Sequence, residues 1–304
     1  MNAALALGAT LYMPCTRDDA IERLFGRRRI AGLRSAVLCL EDSIRESDVP
    51  LALEHLAFTL RQMASRTSAD MDPQVFVRPR DIGMLDRILH LPGIGQVQGF
   101  VIPKAHADNM PGYLALALHD EHRLMPTLET REALDPYEMR RLRDQLLGVQ
   151  DRILALRIGG NDLLSAMGLR RVAGRTAYDG PLGPVIATLV ATFAPWGFAL
   201  SAPVFERFGD PVVLREEVLR DIEHGLLTKS AIHPEQILTI QSALGVSSQQ
   251  IDEARMILAP EGPAVFSNQA TMCEPATHRA WAERLVARAG IFGIFDPLPL
   301  PLRA

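Results

Sequence analysis

The sequence predicts a closed (β/α)₈ barrel followed by a C-terminal extension of helices and a short hairpin. Three observations predict it. Eight short apolar runs recur along the chain, most of them continuous rather than alternating. Strands buried on both faces have that pattern, as parallel strands covered by helices must. Amphipathic segments fall between the runs, and polar residues collect where the runs end.

The runs are Ala6–Met13, Ser35–Glu41, Gln74–Arg80, Gln98–Lys104, His122–Glu129, Ile153–Gly159, Phe198–Phe205 and Leu226–His233. Between them, Asp18–Arg29 places Ile21, Leu24 and Phe25 on one stripe, and Leu51–Ala64 places Leu53, Leu56, Leu60 and Met63 at helical spacing. Pro136–Leu147 and Pro211–His224 each open with proline, which suits a first helical turn. An open doubly wound sheet would carry a glycine-rich turn after its first strand, and Met13-Pro14-Cys15-Thr16 is not one. Residues 1–246 are therefore assigned to the barrel and 247–304 to the extension. In the extension, Ser247–Leu258 and Pro275–Ala289 read as helices and Ala264–Met272 as an extended or hairpin segment. It would serve as a lid or as an arm reaching a neighbouring subunit.

The chain has 304 residues, is 48% hydrophobic and carries a net charge of −4, which gives no reason to expect nucleic acid. Its densest basic run, Arg27-Arg28-Arg29, is expected at a helix end, complementing the dipole. The three cysteines have no CxxC spacing and fit a reducing, cytoplasmic setting. The apolar N-terminus lacks a basic segment, so no signal peptide is expected, and no apolar run is long enough for a membrane span.

In a barrel the C-terminal ends of the strands form the active face. Those ends carry Glu41-Asp42, Arg78-Pro79-Arg80, Lys104, Thr127-Leu128-Glu129, Gly159-Gly160-Asn161-Asp162 and Lys229 through His233. Glu129 and Asp162 end neighbouring strands five and six. Two hard oxygen donors with nothing soft nearby favour Mg²⁺ or Mn²⁺ over zinc. Arg78 offers a planar fork for a carboxylate. A metal with an arginine grips a 2-oxo or 2-hydroxy acid and stabilises an enolate beside it, the requirement of aldol and Claisen chemistry. Each residue also has a plainer reading. Glu129 and Asp162 suit helix caps or first turns. Arg78 can pair with Glu41 or Asp42 in a buried network, and His233 can be a packed turn residue. Lys104 can be a Schiff-base nucleophile, a carboxylate partner or a rim cation. Thr127 and Gly160 are candidate substrate contacts, and Arg157 is a further cation of undetermined orientation.

Taken in order, Leu11-Tyr12-Met13-Pro14, Leu40-Glu41-Asp42-Ser43, Val77-Arg78, Ile102-Pro103-Lys104, Pro126-Thr127-Leu128-Glu129-Thr130, Gly159-Gly160-Asn161-Asp162-Leu163 and Ile232-His233-Pro234-Glu235-Gln236-Ile237 resemble the citrate lyase β-subunit-like branch of the HpcH/HpaI aldolase superfamily. The resemblance implies a Mg²⁺-dependent carbon–carbon lyase, or the reverse condensation, acting on citrate-, malate- or acyl-CoA-like compounds. It implies that Glu129 and Asp162 bind the metal, that Arg78 binds the substrate carboxylate, and that Glu41 and Asp42 lie near the arginine. It further implies a trimer or hexamer whose C-terminal segment reaches a neighbour and supplies an acid or base. Met272-Cys273-Glu274-Pro275 makes Glu274 the candidate for that role; Asp42 or a water is the alternative. The chain departs from the family where Val77-Arg78-Pro79-Arg80 replaces the usual Val-Arg-Val-Asn, and where Pro14-Cys15 replaces Pro-Gly. Arg80 is thus expected to meet an extra carboxylate or a phosphate. Two other readings stand beside the lyase: a metal-assisted enolase-type or phosphate-ester enzyme, using Arg80 and Lys104, and a non-catalytic metabolite-binding barrel.

Overall fold

In a computed structural model, residues 2–295 are described, apart from 68, 70, 71 and 117. The last part of the predicted extension, 296–304, lies outside the described residues. Eight parallel strands form the barrel: β1 (Ala9–Pro14), β2 (Ser35–Cys39), β3 (Gln74–Arg78), β4 (Gly99–Ile102), β5 (Arg123–Leu128), β6 (Leu156–Ile158), β7 (Leu200–Ser201) and β8 (Lys229–Ala231). They pair in the order β7-β6-β5-β4-β3-β2-β1-β8. A parallel bridge between Ala202 and Lys229 joins the two ends.

Alternation along the strands sorts side chains into two cores. Leu38, Val77, Phe100, Leu124, Leu128, Leu156 and Ile158 face outward and pack with the helices in the main core. Val37, Phe76, Val101, Met125 and Ala155 form a separate inner cluster with Ala4 and Leu7. A short helix, Asn2–Leu5, thus helps to fill the barrel interior. The sequence expectation had started the first strand at Ala6. It starts at Ala9, because Leu7 joins the inner cluster and Gly8 turns the chain at φ +54°.

Most predicted helices are present. Val49–Ala64, Pro136–Leu147 and Pro211–Glu223 cover the barrel, and Asp135 and Asp210 cap the last two by accepting from Tyr137 N and Val213 N. The helix expected over Asp18–Arg29 is shorter, Ala20–Leu24. Gly26 N donates back to Ile21 O and Glu22 O, closing the last turn, so Arg27-Arg28-Arg29 lies beyond the helix rather than on its end.

The extension is present, with its own small core. Val246, Ile251, Ala254, Ile257, Cys273, Ala282, Leu285 and Ala289 pack together. Helix Ser248–Leu258 is opened by a Ser247/Gln250 capping box. Strands β9 (Phe266–Asn268) and β10 (Thr271–Cys273) form the hairpin, turned by Gln269 and Ala270 at positive φ. Helix Pro275–Phe292 packs on Asn2–Leu5, and Arg284 donates to Gly225 O just before β8. The extension therefore docks at the N-terminal end of the barrel. The expectation of a lid does not hold within one chain, because these contacts lie at the opposite end from the strand C-termini.

Candidate active site

The strand ends bring Glu41, Arg78 and Glu129 into one buried ionic cluster, with the exposed Lys104 at its rim. Arg78 leaves β3 pointing inward, and its Nη2 contacts both Glu41 Oε2 at 2.9 Å and Glu129 Oε1 at 2.8 Å. The plainer reading, a buried network with Glu41, is thus part of the arrangement. The guanidinium is not used up, however. Its Nε is buried and has no hydrogen-bond partner among the described residues. Burial opposes the charge on Arg78, but the carboxylates of Glu129 and Glu41 outweigh it and hold the group protonated.

Glu129 follows β5 and is 4% exposed. Its Oε1 accepts from Arg78 and from the backbone N of Lys104, at 2.8 Å each. Burial pushes its pKa up to about 7 in spite of Arg78 and the Lys104 N–H; the nearby charges of Asp162 and Glu41 add to the rise. Gly159 makes the close approach feasible. A Cβ there would lie 2.3 Å from Glu129 Cβ and 2.6 Å from Oε2, so no other residue fits without displacing the carboxylate. Gly159 in turn caps helix Gly160–Ala166, whose first turn carries Asp162. Asp162 is half-buried, and burial and then the Asp42 charge raise its pKa. Asp162 does occupy a first helical turn, as the plainer reading allowed, whereas Glu129 is in no helix and faces the interior. Gly160 packs against Pro203 and Leu182, where a Cβ would come within 2.8 Å of Pro203 Cβ.

Lys104 sits in the left-handed region at φ +49°, uncommon for a residue with a side chain. Three contacts hold it there. Its N–H donates to Glu129, its carbonyl accepts from Asn109 Nδ2 at 2.8 Å, and its ammonium meets Glu41 Oε1 at 2.9 Å. Strain maintained this way is a mark of functional sites. Glu41, and more weakly Asp42 at 3.5 Å, raise the Lys104 pKa, so the ammonium stays charged and is a poor Schiff-base nucleophile. Asp42 is exposed at the rim, its N–H donating to Glu41 Oε2. Thr127 lies on the inward face of β5, and its buried hydroxyl has no partner among the described residues.

Three expectations change. Arg80 does not offer a free cation: its Nη1 meets Glu46 at 2.6 Å, Nε donates to Leu40 O, and Nη2 donates to Ile44 O at 2.9 Å. β3 ends at Arg78, so beyond Pro79 the side chain turns outward and clamps the loop after β2. The phosphate-ester reading, which needed Arg80 and Lys104 as free cations, loses its support. Lys229, grouped with the charged strand ends, faces outward under helix Pro211–Glu223 and meets Glu217 and Asp221 there. Glu274 sits at the N-cap position of its own helix without a side-chain capping bond, accepts from Thr277 Oγ1 at 3.2 Å, and has no described hydrogen bond to the site cluster. His233 stacks on Phe208 with ring centroids 4.6 Å apart, as a turn residue would.

Two features were not legible in the sequence. Asn109 fixes the Lys104 carbonyl, and Gln236, fully buried, bridges the ends of β7 and β8. Its Oε1 accepts from Ile232 N and its Nε2 donates to Phe205 O. A short polar residue after a strained turn and a glutamine at an inward helical position were the available signals.

The donor chemistry fits a hard divalent cation. Glu129 and Asp162 are both oxygen donors, the Asp162 charge adds to the cost of ionising the buried Glu129, and water and substrate would complete the shell. Among the described residues no group of three or more His, Cys, Asp or Glu could hold a metal ion, so Glu129 and Asp162 would be the only protein carboxylates offered to it. An apolar cleft of about 390 Å³ lies elsewhere, between the N-terminal end of the barrel and the extension. Its position and lining share nothing with this polar convergence.

Comparison with known proteins shows the family and the fold. A family model described as the carbon–carbon bond lyase of the TIM-barrel fold matches residues 1–294. Protein CitE from Mycobacterium tuberculosis, solved with magnesium, acetoacetate and coenzyme A, superposes with a TM-score of 0.69 at 23% identity, over 94% of this chain and 99% of that one. RipC from Yersinia pestis superposes at 0.60 and 20% identity, over 82% and 99%. The citrate lyase β subunit from M. tuberculosis, solved with oxaloacetate and magnesium, superposes at 0.58 and 23% identity, over 80% and 99%. At these identities the superpositions establish the fold. No curated protein matches significantly.

Proposed function

Given that the chain belongs to the family of carbon–carbon bond lyases of the TIM-barrel fold, we propose that it cleaves or forms a carbon–carbon bond next to a carboxylate. The substrate is a 2-oxo or 2-hydroxy acid, with an acyl-CoA thioester as the candidate second substrate. The single observation that carries this reading is Glu129, buried against Arg78 and raised to about 7 by burial, with the Asp162 charge adding to the rise.

Glu129 and Asp162 would hold Mg²⁺ or Mn²⁺. The ion, when bound, supplies Lewis-acid polarisation of the oxygen beside the substrate carboxylate. Arg78 orients that carboxylate through its free Nε edge and favours negative charge as it develops. Glu41 keeps Arg78 and Lys104 in place by accepting from both. Lys104 adds a fixed positive charge at the rim. Asp42 stands exposed beside it and can exchange a proton with substrate or water. Glu274 is the candidate acid or base only if it is delivered by a neighbouring copy in a homotrimer or homohexamer. No described helix is long and apolar enough to cross a membrane, and the proposed setting is the cytoplasm.

The test is turnover. With Mg²⁺ and a panel of 2-oxo and 2-hydroxy acids, with and without coenzyme A thioesters, the wild-type chain should release or consume a 2-oxo acid. Glu129→Gln and Asp162→Asn should each reduce that rate on the order of a thousandfold. Full activity in the double variant contradicts the proposal.

A further inference from the structure

A second guanidinium lies inside the barrel, below the cluster just described. Arg157 on β6 is 1% exposed and is among the largest fully buried side chains of the protein. It points inward. Nη2 donates to Ser230 Oγ at 2.8 Å, Nη1 reaches Met125 Sδ at 3.5 Å, and the group lies over the Tyr12 ring at 5.3 Å. No carboxylate meets it among the described ion pairs, and its Nε has no acceptor. Burial lowers its pKa; Tyr12, which also hydrogen-bonds the guanidinium, pulls it back up, and the positive charge of Arg78 lowers it again. An arginine does not shed its proton in a protein, so among the described residues this is a buried charge held by neutral groups (Ser230, Tyr12 and Met125) with no carboxylate opposite it.

Its neighbours are unsatisfied too. Thr127 is the register partner of Arg157 across β5 and β6, and the Thr127 hydroxyl is buried without a partner. Arg78, close enough to depress the Arg157 pKa, leaves its own Nε free. Thus two guanidinium N–H groups and a hydroxyl, on the inward faces of three strands, lack acceptors or donors. Thr127 and Arg157 lie one inward layer below Glu129 and Gly159, two residues back along β5 and β6, or roughly 6–7 Å, whereas Arg78 contacts Glu129 itself.

We propose that Arg157 and Thr127 form a subsite for a second carboxylate, so that Arg157 selects acids carrying an anionic group beyond the one held by Arg78. The inference rests on the proposed carboxylate-binding role of this site and specifies its substrate. A short dicarboxylate spans one layer, and its second acid group neutralises the buried guanidinium while satisfying the hydroxyl. A monocarboxylate leaves both unmet. A buried charge matched only by the right ligand discriminates strongly against the ligand that lacks the group.

The test uses two stable 2-hydroxy acids that differ by one carboxylate, lactate and malate, titrated calorimetrically into the full chain with saturating Mg²⁺ and no thiol. Malate should bind at least about tenfold more tightly than lactate. Arg157→Met should abolish that preference and leave lactate affinity unchanged. Thr127→Val, which preserves volume, should reduce malate affinity by about threefold. It also serves as the reporter if Arg157→Met does not fold. Equal wild-type affinity for the two acids overturns the subsite alone, as does an unchanged preference in both variants. Equal loss of both acids in a folded Arg157→Met protein assigns the residue a structural role and also overturns it. Wild-type failure to bind either acid overturns the carboxylate-binding reading beneath it.

Discussion

Two buried ionic clusters sit on opposite sides of the barrel wall, and only one of them is closed. Outside, under helix Pro211–Glu223, Lys229 Nζ contacts Glu217 and Asp221 at 2.9 Å each. Arg171 pairs with Glu217 and Glu206, and Tyr178 donates to Asp221 at 2.6 Å. Ala177 N also donates to Glu217. Burial alone would pull the Lys229 pKa down, but Asp221 and Glu217 more than offset it. Inside, the Arg78 cluster contains the same residue types, yet Arg78 Nε and, one layer below, Thr127 Oγ1 and Arg157 Nε have no hydrogen-bond partner among the described residues. Arg171 Nε and Glu206 Oε2 outside, also without an aligned hydrogen bond, at least face each other at 2.9 Å. The outer cluster ties the loop around Arg171 and Tyr178 to the helix. The inner one retains capacity for something from outside. Buried charge by itself therefore does not mark a site; unmet hydrogen-bonding capacity at the strand C-termini does.

Replacing Lys229 by Met would break the comparison at its strongest point. It leaves two carboxylates buried without their cation, and urea denaturation should show a loss of about 3–5 kcal/mol. Turnover per folded molecule should stay near wild type. Glu129→Gln should do the reverse, losing turnover while metal-free stability holds or rises, because a group strained for function is relieved. If both variants lose stability equally, the inner cluster is a strut like the outer one.

Acid–base behaviour sharpens the contrast. Glu129 titrates near 7 in the folded chain against 4.5 for a free carboxyl. Between those values the folded state holds the extra proton. The stability it contributes is complete below 4.5 and is lost as pH rises through about 7. In the presence of chelator, the urea midpoint should therefore fall as pH rises across that window, and Glu129→Gln should flatten the slope. An unchanged slope would show that Glu129 is already ionised throughout. The smallest effect is expected at Arg80. Arg80→Met removes the loop clamp to Leu40, Ile44 and Glu46, which should cost about 1 kcal/mol by denaturation and change turnover by less than about threefold. A larger loss of turnover would restore Arg80 to the substrate site.

The sequence carried the barrel because apolar runs and strand-end polarity are one-dimensional signals. Seven of the eight runs contain their observed strand and the first misses only Pro14, and the Glu41, Arg78, Lys104 and Glu129 positions come together as their place at strand ends implied. What it did not carry is direction. Arg80 and Arg78 are two residues apart, but the chain leaves the strand between them, so alternation no longer predicts the face. Lys229 and Ser230 are adjacent, and one points into the helices while the other meets Arg157 inside. Arg157 could be placed inward only once its register beside Thr127 was fixed. The docking of the extension at the N-terminal end depends on long-range contacts such as Arg284 to Gly225 O, which no local pattern encodes.

The central claim is that carboxylates following successive strands jointly hold a hard cation beside Arg78. Calorimetric titration of Mn²⁺ into the chelator-treated chain, repeated with the Glu129→Gln, Asp162→Asn double variant, tests it most directly. Saturable binding in the wild type that disappears in the double variant, with thermal unfolding otherwise preserved, is the predicted result. Binding of equal affinity in both proteins, or in neither, would contradict it.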